Sequence, residues 1–226
     1  MQRLSERLLC AARFVRNNSI VWDVGTDHCH IPIFLLENNI AKSCIASDVN
    51  LGPLEKAEKN LSEYPQIKEK ITLLCENGIV SAEKYRPDDI VICGMGGELI
   101  RDIVLACPYT RNENVRLILQ PMTKSEILRS SLYSSGYEIL DERLVRDDKI
   151  YEVIYAGYCG EKREISPLYA LLGEKNIERG GELFLEFLGL KMKHLKARID
   201  GKKSAGLDFS DESGLYYEME RLKEKK

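Results

Sequence analysis

The chain has 226 residues, of which 44% are apolar and 31% charged, and its formal net charge is −3. This composition favours a folded protein with a buried core and argues against global disorder, and no apolar run approaches the ~20 residues of a membrane-spanning helix. The seven cysteines are an odd number without a C-x-x-C pair, which argues against a disulfide framework. Together with an N-terminus that lacks the apolar stretch of a signal peptide, they predict a reduced, cytoplasmic protein without a membrane partner.

The charge is unevenly distributed along the chain. Residues 1–156 carry 19 basic and 23 acidic groups, whereas residues 157–226 carry 14 basic and 13 acidic groups. The stretch from Lys191 to Lys203 holds six basic groups against the single acid Asp200. A partner with phosphates would meet this stretch first.

Short β-rich runs alternate with helical patterns over the first two thirds of the chain. The patterns predict strands at 20–24, 44–47, 71–74, 90–93 and 116–119, and helices at 3–16, from about residue 31, at 53–62, 98–106 and 124–135. Two strand-like runs, 137–145 and 150–156, follow without a helix between them. Five β–α alternations closed by a hairpin predict an α/β fold, a doubly wound sheet whose last strand is antiparallel.

From Pro167 onward the pattern is purely helical. The apolar residues at helical spacing are Phe184, Phe187, Leu188, Met192, Leu195 and Ile199, followed by Leu215, Met219 and Leu222. With a turn at Gly201–Ser210, this predicts an antiparallel, coiled-coil-like helical hairpin. The expected domains are therefore residues 1–160, containing the sheet, and residues 161–226, containing the hairpin. The apolar stripe indicates internal packing or, alternatively, a protein-binding groove.

The end of the first predicted strand, Asp23-Val24-Gly25-Thr26-Asp27, indicates the kind of ligand, because open α/β sheets bind ligands at the carboxyl ends of their strands. A dinucleotide-binding turn has the pattern G-x-G-x-x-G, but here Asp27 takes the place of the second glycine and His30 that of the third. A carboxylate would repel a pyrophosphate and suits a cation. The turn therefore favours S-adenosylmethionine, which carries an ammonium and a sulfonium, over a dinucleotide. Alternatively, Asp27 only caps the following helix.

The next two strand ends add candidate contacts for an adenosine group. Asp48 follows the second strand and can accept both ribose hydroxyls, or is a turn residue. Asn77 and Gly78 follow the third strand, where an amide can bond the edge of an adenine, or form a turn.

The segment Asp27-His28-Cys29-His30 holds side chains that zinc accepts as ligands. The only other histidine is His194, in the distant tail, and no second cluster supplies further ligands. We therefore expect no metal site.

The fourth strand ends in Gly94-Met95-Gly96-Gly97, which permits close approach of the backbone to a ligand or, alternatively, tight packing of strand and helix. Enzymes that methylate exocyclic amines often carry an Asn/Asp-Pro-Pro-Tyr/Phe motif at this point, and this chain has none. The pattern suggests an endocyclic ring nitrogen as the target.

Five motifs carry a family resemblance. They are Leu4-Ser5-Glu6-Arg7-Leu8, the run from Asp23 to Pro32 (DVGTDHCHIP), Gly94-Met95-Gly96-Gly97, Leu119-Gln120-Pro121 and Lys149-Ile150-Tyr151-Glu152. In order and spacing the chain resembles the bacterial tRNA (adenine-N1)-methyltransferase family TrmK over about residues 1–157, and its tail also fits that family. The resemblance implies a class I, Rossmann-like methyltransferase that moves a methyl group from S-adenosylmethionine to N1 of adenine 22 in tRNA.

The motifs and the resemblance together give the candidate site residues. The expected cofactor-binding residues are Arg7, Asp23, Gly25, Asp27, Asp48, Asn77, Gly78 and Gly94. The expected substrate-binding residues are Met95, Gly96, Gly97, Gln120 and Tyr151, together with Lys191, Arg198 and Lys202 on one face of a tail helix. That face holds the tRNA body or, alternatively, is an ordinary solvated surface.

Asp27 and His28 are the candidate catalytic residues, because either could take the proton released after methyl transfer. Two positions depart from the family pattern. Asn77 stands where the family commonly has the aspartate of Gly-Asp-Gly, and Met122 stands where it often has asparagine. The alternatives to the expected function are a class I methyltransferase with another substrate and a non-catalytic, cofactor-binding module associated with RNA. We expect a monomer.

Overall fold

The computed structural model describes residues 3–225. Strands and helices alternate over the first five strands, and the next helix is followed by two strands that form a hairpin. The strands are β1 (Ser19–Val24), β2 (Ala41–Asp48), β3 (Ile71–Cys75), β4 (Asp89–Gly96), β5 (Arg116–Thr123), β6 (Tyr137–Arg146) and β7 (Ile150–Tyr158). The helices of this part are α1 (Glu6–Ala12), α2 (His30–Glu37), α3 (Leu51–Leu61), α4 (Pro65–Lys68), α5 (Ala82–Tyr85), α6 (Gly97–Ala106) and α7 (Ser125–Ser134). A short 3-10 helix, Pro108–Arg111, precedes β5.

The strands form one seven-stranded sheet in the order β3-β2-β1-β4-β5-β7-β6. The pairs from β3 to β5 are parallel, and β7 runs antiparallel to both β5 and β6. The strand order reverses between β1 and β4, which is where open α/β sheets bind ligands. The doubly wound α/β fold with an antiparallel last strand is confirmed.

The central strands are buried on both faces. In β1, Trp22 and Val24 pack into one core cluster and Val21 into the other, and β4 divides Ile90 and Val91 in the same way. Strands covered on both sides are continuous apolar runs rather than alternating ones, which is why the sequence reveals them. The indole Nε1 of Trp22 donates a buried hydrogen bond of 2.8 Å to Ser47 Oγ.

Two strands continue beyond their predicted ends. The glycine run after Cys93 was expected to break the fourth strand, but β4 continues to Gly96 through register irregularities against β5. Likewise β5 continues through Pro121 to Thr123 instead of ending at Gln120-Pro121. The two extensions pair with each other in the sheet, so each supplies hydrogen-bond partners for the backbone of the other. Neither extension can therefore be predicted from its own segment of the sequence.

Helix α1 is shorter than the predicted 3–16 and ends at Ala12. Beyond it, Arg16 joins the segment to the sheet, because its backbone N–H and its Nε both donate to the carboxylate of Asp89, at 2.8 and 2.7 Å. Asp89 is the first residue of β4, so Arg16 lies at the amino edge of the sheet. Arg7 lies near the carboxyl ends of β4 and β5, so the chain between Arg7 and Arg16 runs from the carboxyl edge of the sheet to its amino edge.

The tail contains four helices, α8 (Pro167–Leu172), α9 (Glu174–Arg179), α10 (Glu182–Ser204) and α11 (Ser210–Glu224). The hairpin of α10 and α11 agrees with the predicted pattern, but α10 continues three residues past Gly201, so that the turn is shorter than expected. A third core cluster holds the hairpin together, and Leu144 and Ile150 of the sheet pack against it. The domain boundary after residue 160 stays a prediction. Within residues 3–225, no helix combines the length and apolarity needed to cross a membrane.

Candidate active site

A cavity of about 280 Å³ lies at the carboxyl edge of the sheet, where β1 and β4 diverge. Its lining includes Arg7 and Leu8 of α1, Asp23 at the end of β1, Asp27 in the following turn, and Gly94 of β4. The first and fourth predicted strand ends therefore lie together, as the sequence pattern required. The cavity combines one guanidinium with two carboxylates, so it can hold a zwitterion.

The turn after β1 depends on Gly25. Its φ of +72° lies in the left-handed region, and a Cβ atom at this position would overlap Cε of Met95. Met95, an expected substrate residue, therefore packs over the turn of β1. The close approach of these two segments requires glycine at position 25 for both backbone and steric reasons.

Asp23 is the buried acid of the cavity. It is 6% exposed, and burial raises the pKa of its carboxyl to about 6. A perturbed carboxyl in a cleft is a common property of functional sites. Deprotonated Asp23 would be stabilised by a cation in the cavity.

The segment after Asp27 has an unusual backbone. His28 and Cys29 both have left-handed φ, at +64° and +56°, and the N-cap of α2 is Cys29. The alternative in which Asp27 caps this helix is therefore wrong. Asp27 is exposed and its Oδ1 lies 3.3 Å from His28 Nε2, while the His28 ring stacks on His30. Burial lowers the pKa of His30, and the neighbouring His28 lowers it further.

No group of three or more His, Cys, Asp or Glu residues that could hold a metal ion exists within residues 3–225.

Gln120 holds the cavity together in a way that the sequence analysis missed. This fully buried side chain accepts, at Oε1, hydrogen bonds from Arg7 Nη1 at 2.9 Å and from the Gly94 N–H at 3.2 Å. Its Nε2 donates to Pro121 O and reaches Met122 Sδ at 3.5 Å. In this structure Gln120 orients Arg7 and the β4 backbone, and its predicted contact with the substrate stays a prediction. Its position after an apolar strand, before a proline, was the only signal in the sequence.

Gly97 also has a packing role. A Cβ atom there would overlap the backbone carbonyls of Lys124 and Thr123, so the start of α6 lies directly against the end of β5. Gly97 is buried, in contrast to the partly exposed Gly96. Gly97 therefore allows tight packing of strand and helix, and its predicted substrate contact, like those of Gly96 and Met95, stays a prediction.

Tyr151 is buried beneath basic side chains. Arg7 and Lys149 lie over its ring at 5.7 and 5.0 Å from the centroid, and its hydroxyl bonds to Asp148 at 2.7 Å. Tyr151 is 6% exposed, so the surface above it is formed by Arg7 and Lys149 rather than by its own ring. Direct contact of Tyr151 with a substrate would require these side chains to move.

The residues at the ends of β2 and β3 are compatible with both predicted roles, a contact with adenosine and a turn. Asp48 accepts a hydrogen bond from the Asn50 N–H at 2.8 Å, a turn contact that uses one carboxylate oxygen. Asn77 is exposed and Gly78 half-buried, and both line a larger cavity of about 490 Å³ against α6.

The structure does not bring Lys191, Arg198 and Lys202 into one free basic face. Lys191 Nζ lies 3.1 Å from Glu152 of β7, whereas Arg198 and Lys202 both bind Glu212 of α11, at 2.6 and 2.5 Å. All three cations therefore already have carboxylate partners. Their part in tRNA binding stays a prediction.

A buried ionic network connects the sheet with the tail. Arg129 is fully buried and lies 2.5 Å from both Glu142 and Glu152, and it donates to the carbonyl of Ala170 in α8 at 3.0 Å. Burial acts against the charge of Glu152, but Arg129 and Lys191 together lower its pKa. The sequence analysis missed this network, although Arg129 lies at helical spacing with Leu128 and Leu132 on the buried side of α7.

Comparison with known proteins identifies the family. Residues 4–154 match the family model described as a methyltransferase domain. The chain belongs to this methyltransferase family. The match covers every strand of the sheet except the end of β7, and the tail lies outside it.

Among its relatives, this methyltransferase-domain chain is 33% identical over 155 residues to the tRNA (adenine(22)-N(1))-methyltransferase of Bacillus subtilis. That alignment spans 68% of this chain and 65% of the relative's length. The crystal structure of the B. subtilis m1A22 tRNA methyltransferase TrmK superimposes with a TM-score of 0.84 at 28% identity, covering 99% of both chains. A second similar structure is that of a putative tRNA (m1A22) methyltransferase of Streptococcus pneumoniae in complex with S-adenosyl-L-methionine. It superimposes with a TM-score of 0.82 at 30% identity, and the alignment covers 96% of this chain and 99% of that one. The family resemblance inferred from the motifs is confirmed.

Proposed function

We propose that this chain transfers a methyl group from S-adenosylmethionine to N1 of adenine 22 in tRNA. The observation that carries the proposal is its similarity to the B. subtilis m1A22 methyltransferase, which extends over the sheet and the helical tail alike. Fold similarity within the methyltransferase-domain family alone would leave the substrate open.

The cavity fits the amino-acid end of S-adenosylmethionine. Asp23 and Asp27 offer carboxylates to its ammonium, and Arg7 offers a guanidinium to its carboxylate. Gly25 and Gly94 leave backbone without side chains beside the ligand. At the next strand ends, Asp48 would accept the ribose hydroxyls, and Asn77 and Gly78 would bind the adenine.

When bound, S-adenosylmethionine supplies an electrophilic methyl group on its sulfonium. Adenine N1 attacks as a neutral nitrogen, so correct positioning contributes more than acid–base catalysis. N1 lies on the Watson–Crick edge, so the base must leave its pair and stack before it reacts. Met95 and Gly96 at the end of β4 would line the position of this base.

Methylation of the neutral N1 gives a cationic adenine, and Asp27 and His28 are the proposed acceptors of the proton that its exocyclic amine then releases. They lie on the turn between β1 and α2, where Asp27 lines the cavity and His28 Nε2 is 3.3 Å from Asp27 Oδ1. Such a pair can hold a proton between a ring nitrogen and a carboxylate.

The proposed cellular setting is the cytoplasm, where tRNA is modified and thiols stay reduced, and the proposed active form is a monomer. All seven cysteines are free, which supports a reducing compartment.

The direct test is to incubate the purified protein with labelled S-adenosylmethionine and unmodified tRNA, and then identify the methylated nucleoside by mass spectrometry. We expect N1-methyladenosine at position 22 and no incorporation into a matched tRNA with guanine at that position. Incorporation into proteins or small molecules instead would support a different substrate. Cofactor binding without turnover on any of them would support the non-catalytic module.

The role of His28 is tested by His28→Asn, because asparagine tolerates the left-handed backbone at this position while removing the imidazole. We expect cofactor affinity to persist and turnover to fall about tenfold or more, within the range of general acid–base catalysis. Unchanged turnover would exclude His28 as the proton acceptor.

A further inference from the structure

A second cavity, of about 370 Å³, lies between the end of α1 and the edge strand β6. We call it the α1–β6 groove. Its lining residues are Cys10, Arg13, Phe14, Arg143, Leu144 and Val145. None of them belongs to the cofactor cavity, and none was singled out by the sequence motifs.

The groove is positively charged. Arg13 is exposed, and its side chain makes no ion pair within the described part of the chain. Arg143 lies 2.7 Å from Asp141, and Arg179 lies 2.7 Å from the same carboxylate oxygen. Arg143 and Arg179 thus share one carboxylate and Arg13 adds a third cation, while Asp141 and Glu6 are the acids that act on Cys10 in the lining. The lining itself contains no acidic residue.

The aromatic ring of Phe14 forms part of the wall of the groove. Phe14 stacks on Tyr155 with centroids 5.1 Å apart and an interplanar angle of 12°, and the guanidinium of Arg143 lies 5.8 Å from the Phe14 centroid. This arrangement holds the long Arg143 side chain against a flat surface. A pre-oriented guanidinium presents paired N–H donors that match the geometry of a phosphate.

The pairing of β6 with β7 links the groove to the neighbourhood of the active site. Val145 pairs with Tyr151 in the sheet, and Tyr151 lies beneath Arg7 and Lys149 at the cofactor cavity. Arg7 and Phe14 are separated by seven residues of a largely helical segment, or ~10 Å. At a rise of ~3.4 Å per stacked nucleotide, this distance corresponds to about three nucleotides of one strand.

We propose that the α1–β6 groove binds the phosphate backbone of the tRNA strand that adjoins the target base, with Arg13 and Arg143 each contacting a phosphate. The inference rests on the proposed function and extends it, because it gives the tRNA a docking surface on the sheet domain. The positive charge of the groove favours a polyanion as its partner. A second copy of this chain has a net charge of −3, but its own groove would carry the same positive charge, and two such grooves would repel each other.

The test compares the parent with Arg13→Gln, Arg143→Gln and the double variant. Lys42→Gln with Lys70→Gln is the matched control, since both lysines are exposed near the amino ends of β2 and β3, on the opposite side of the sheet. Binding of unmodified tRNA is measured over a series of salt concentrations, together with cofactor affinity, thermal unfolding and sedimentation. Arg13→Gln keeps the test independent of folding, because it removes no ion pair.

We expect the double variant to bind tRNA on the order of tenfold more weakly and its salt dependence to lose a slope of about two, with half of that loss for Arg13→Gln alone. Cofactor affinity and the control variant should match the parent. If the parent methylates adenine 22 and the arginine variants keep its tRNA affinity and salt slope, the groove is not a tRNA site, while the proposed function stands. A changed sedimentation coefficient with unchanged tRNA binding would also overturn the proposal, in favour of contact between copies. If the parent itself does not bind or methylate tRNA, the proposed function fails first.

Discussion

Individual residues at the end of β1 are held in conformations that a folded chain normally avoids. Gly25, His28 and Cys29 all have positive φ within five residues, and Asp23 is buried beside them. Glycine adopts positive φ freely, but positive φ at His28 and Cys29 and the burial of Asp23 each lower the stability of the fold unless surrounding contacts compensate them. Strained residues of this kind cluster at functional sites, and these lie at one edge of the cavity.

Asp23 gives the first prediction. Its folded pKa of about 6 exceeds the ordinary value of 3.8, so the fold favours the protonated form. The stabilisation is present below pH ~4 and is lost as the pH rises through 6, at a cost of roughly 3 kcal/mol. We therefore expect Asp23→Asn to increase the free energy of unfolding at pH 7.5, with little effect at pH 4, in urea titrations without ligand.

The same substitution should weaken binding of S-adenosylmethionine, because the ammonium loses a carboxylate partner. Affinity of the parent should fall as the pH drops below 6, whereas that of Asp23→Asn should change little in calorimetry. Equal affinities for both proteins across this pH range would show that Asp23 does not contact the cofactor.

Gly25→Ala provides the second prediction. Alanine in the left-handed region costs about 1–2 kcal/mol, and the added methyl group overlaps Met95. Adding Met95→Ala should remove the steric part and leave the backbone part. Gly189→Ala is the control, because Gly189 lies within α10 with open space around it, and we expect a gain of about 0.5–1 kcal/mol. Thermal unfolding of the four proteins gives the comparison, and a Gly25→Ala protein as stable as its parent would refute this account.

At the level of elements, β7 serves two parts of the molecule through adjacent residues. Tyr151 lies beneath the cations at the cavity, whereas Glu152 points to the other side of the sheet and joins the ionic network with Arg129 and Lys191. Successive side chains of a strand face opposite ways, so one strand can connect the active site with the tail. Movement of the tail would therefore act on β7 directly.

Arg129→Met tests this network. The change leaves Glu142 and Glu152 buried without their shared cation, and breaking such a pair costs about 3–5 kcal/mol. We expect a decrease of that size in the free energy of unfolding by urea. Combining Arg129→Met with Glu142→Gln should recover part of the loss, because Glu142 is then neutral and Glu152 keeps Lys191 as its partner. A fully stable single variant would mean that water or a rearrangement compensates the carboxylates.

At the level of the whole molecule, ion pairs attach the basic tail to the rest of the protein. Lys191 binds the sheet through Glu152, and Arg198 and Lys202 join α10 to α11 through Glu212. Hydrogen bonds from Lys202 and Arg198 lower the pKa of Glu212 to about 2. Three of the six cations in the densest basic stretch of the sequence are therefore engaged in holding the hairpin in place.

Glu212→Gln separates the structural use of these cations from tRNA binding. The contribution of Glu212 is complete above its ordinary pKa of 4.5 and is lost as the pH falls through 2, so the variant should melt below the parent at pH 6 but alongside it near pH 2. Because two cations are released, we expect tRNA affinity at pH 7 to be equal to or higher than that of the parent. Glu218→Gln, an exposed change on the same helix, is the control. Weaker tRNA binding by Glu212→Gln would show that the paired geometry itself is what the tRNA requires.

Local patterns were sufficient for the architecture and for the location of the cavity. The apolar runs of β1, β4 and β5 are buried on both faces, so their composition alone identifies them, and parallel strands bring their polar ends to one edge of the sheet. The acidic turn at Asp23 and Asp27 was enough to favour a cationic ligand over a pyrophosphate. The motifs also led to the correct family.

The partners of polar side chains were decided only by the tertiary structure. Gln120 bonds Arg7, which is 113 residues away, and the exposed Arg198 binds Glu212 across a turn. The glycines after Cys93 and the proline after Gln120 predict strand ends, yet β4 and β5 continue because each extension pairs with the other. Sequence periodicity reports the face on which a side chain lies. Its partner depends on distance in space, which is set only when the sheet and the tail have packed together.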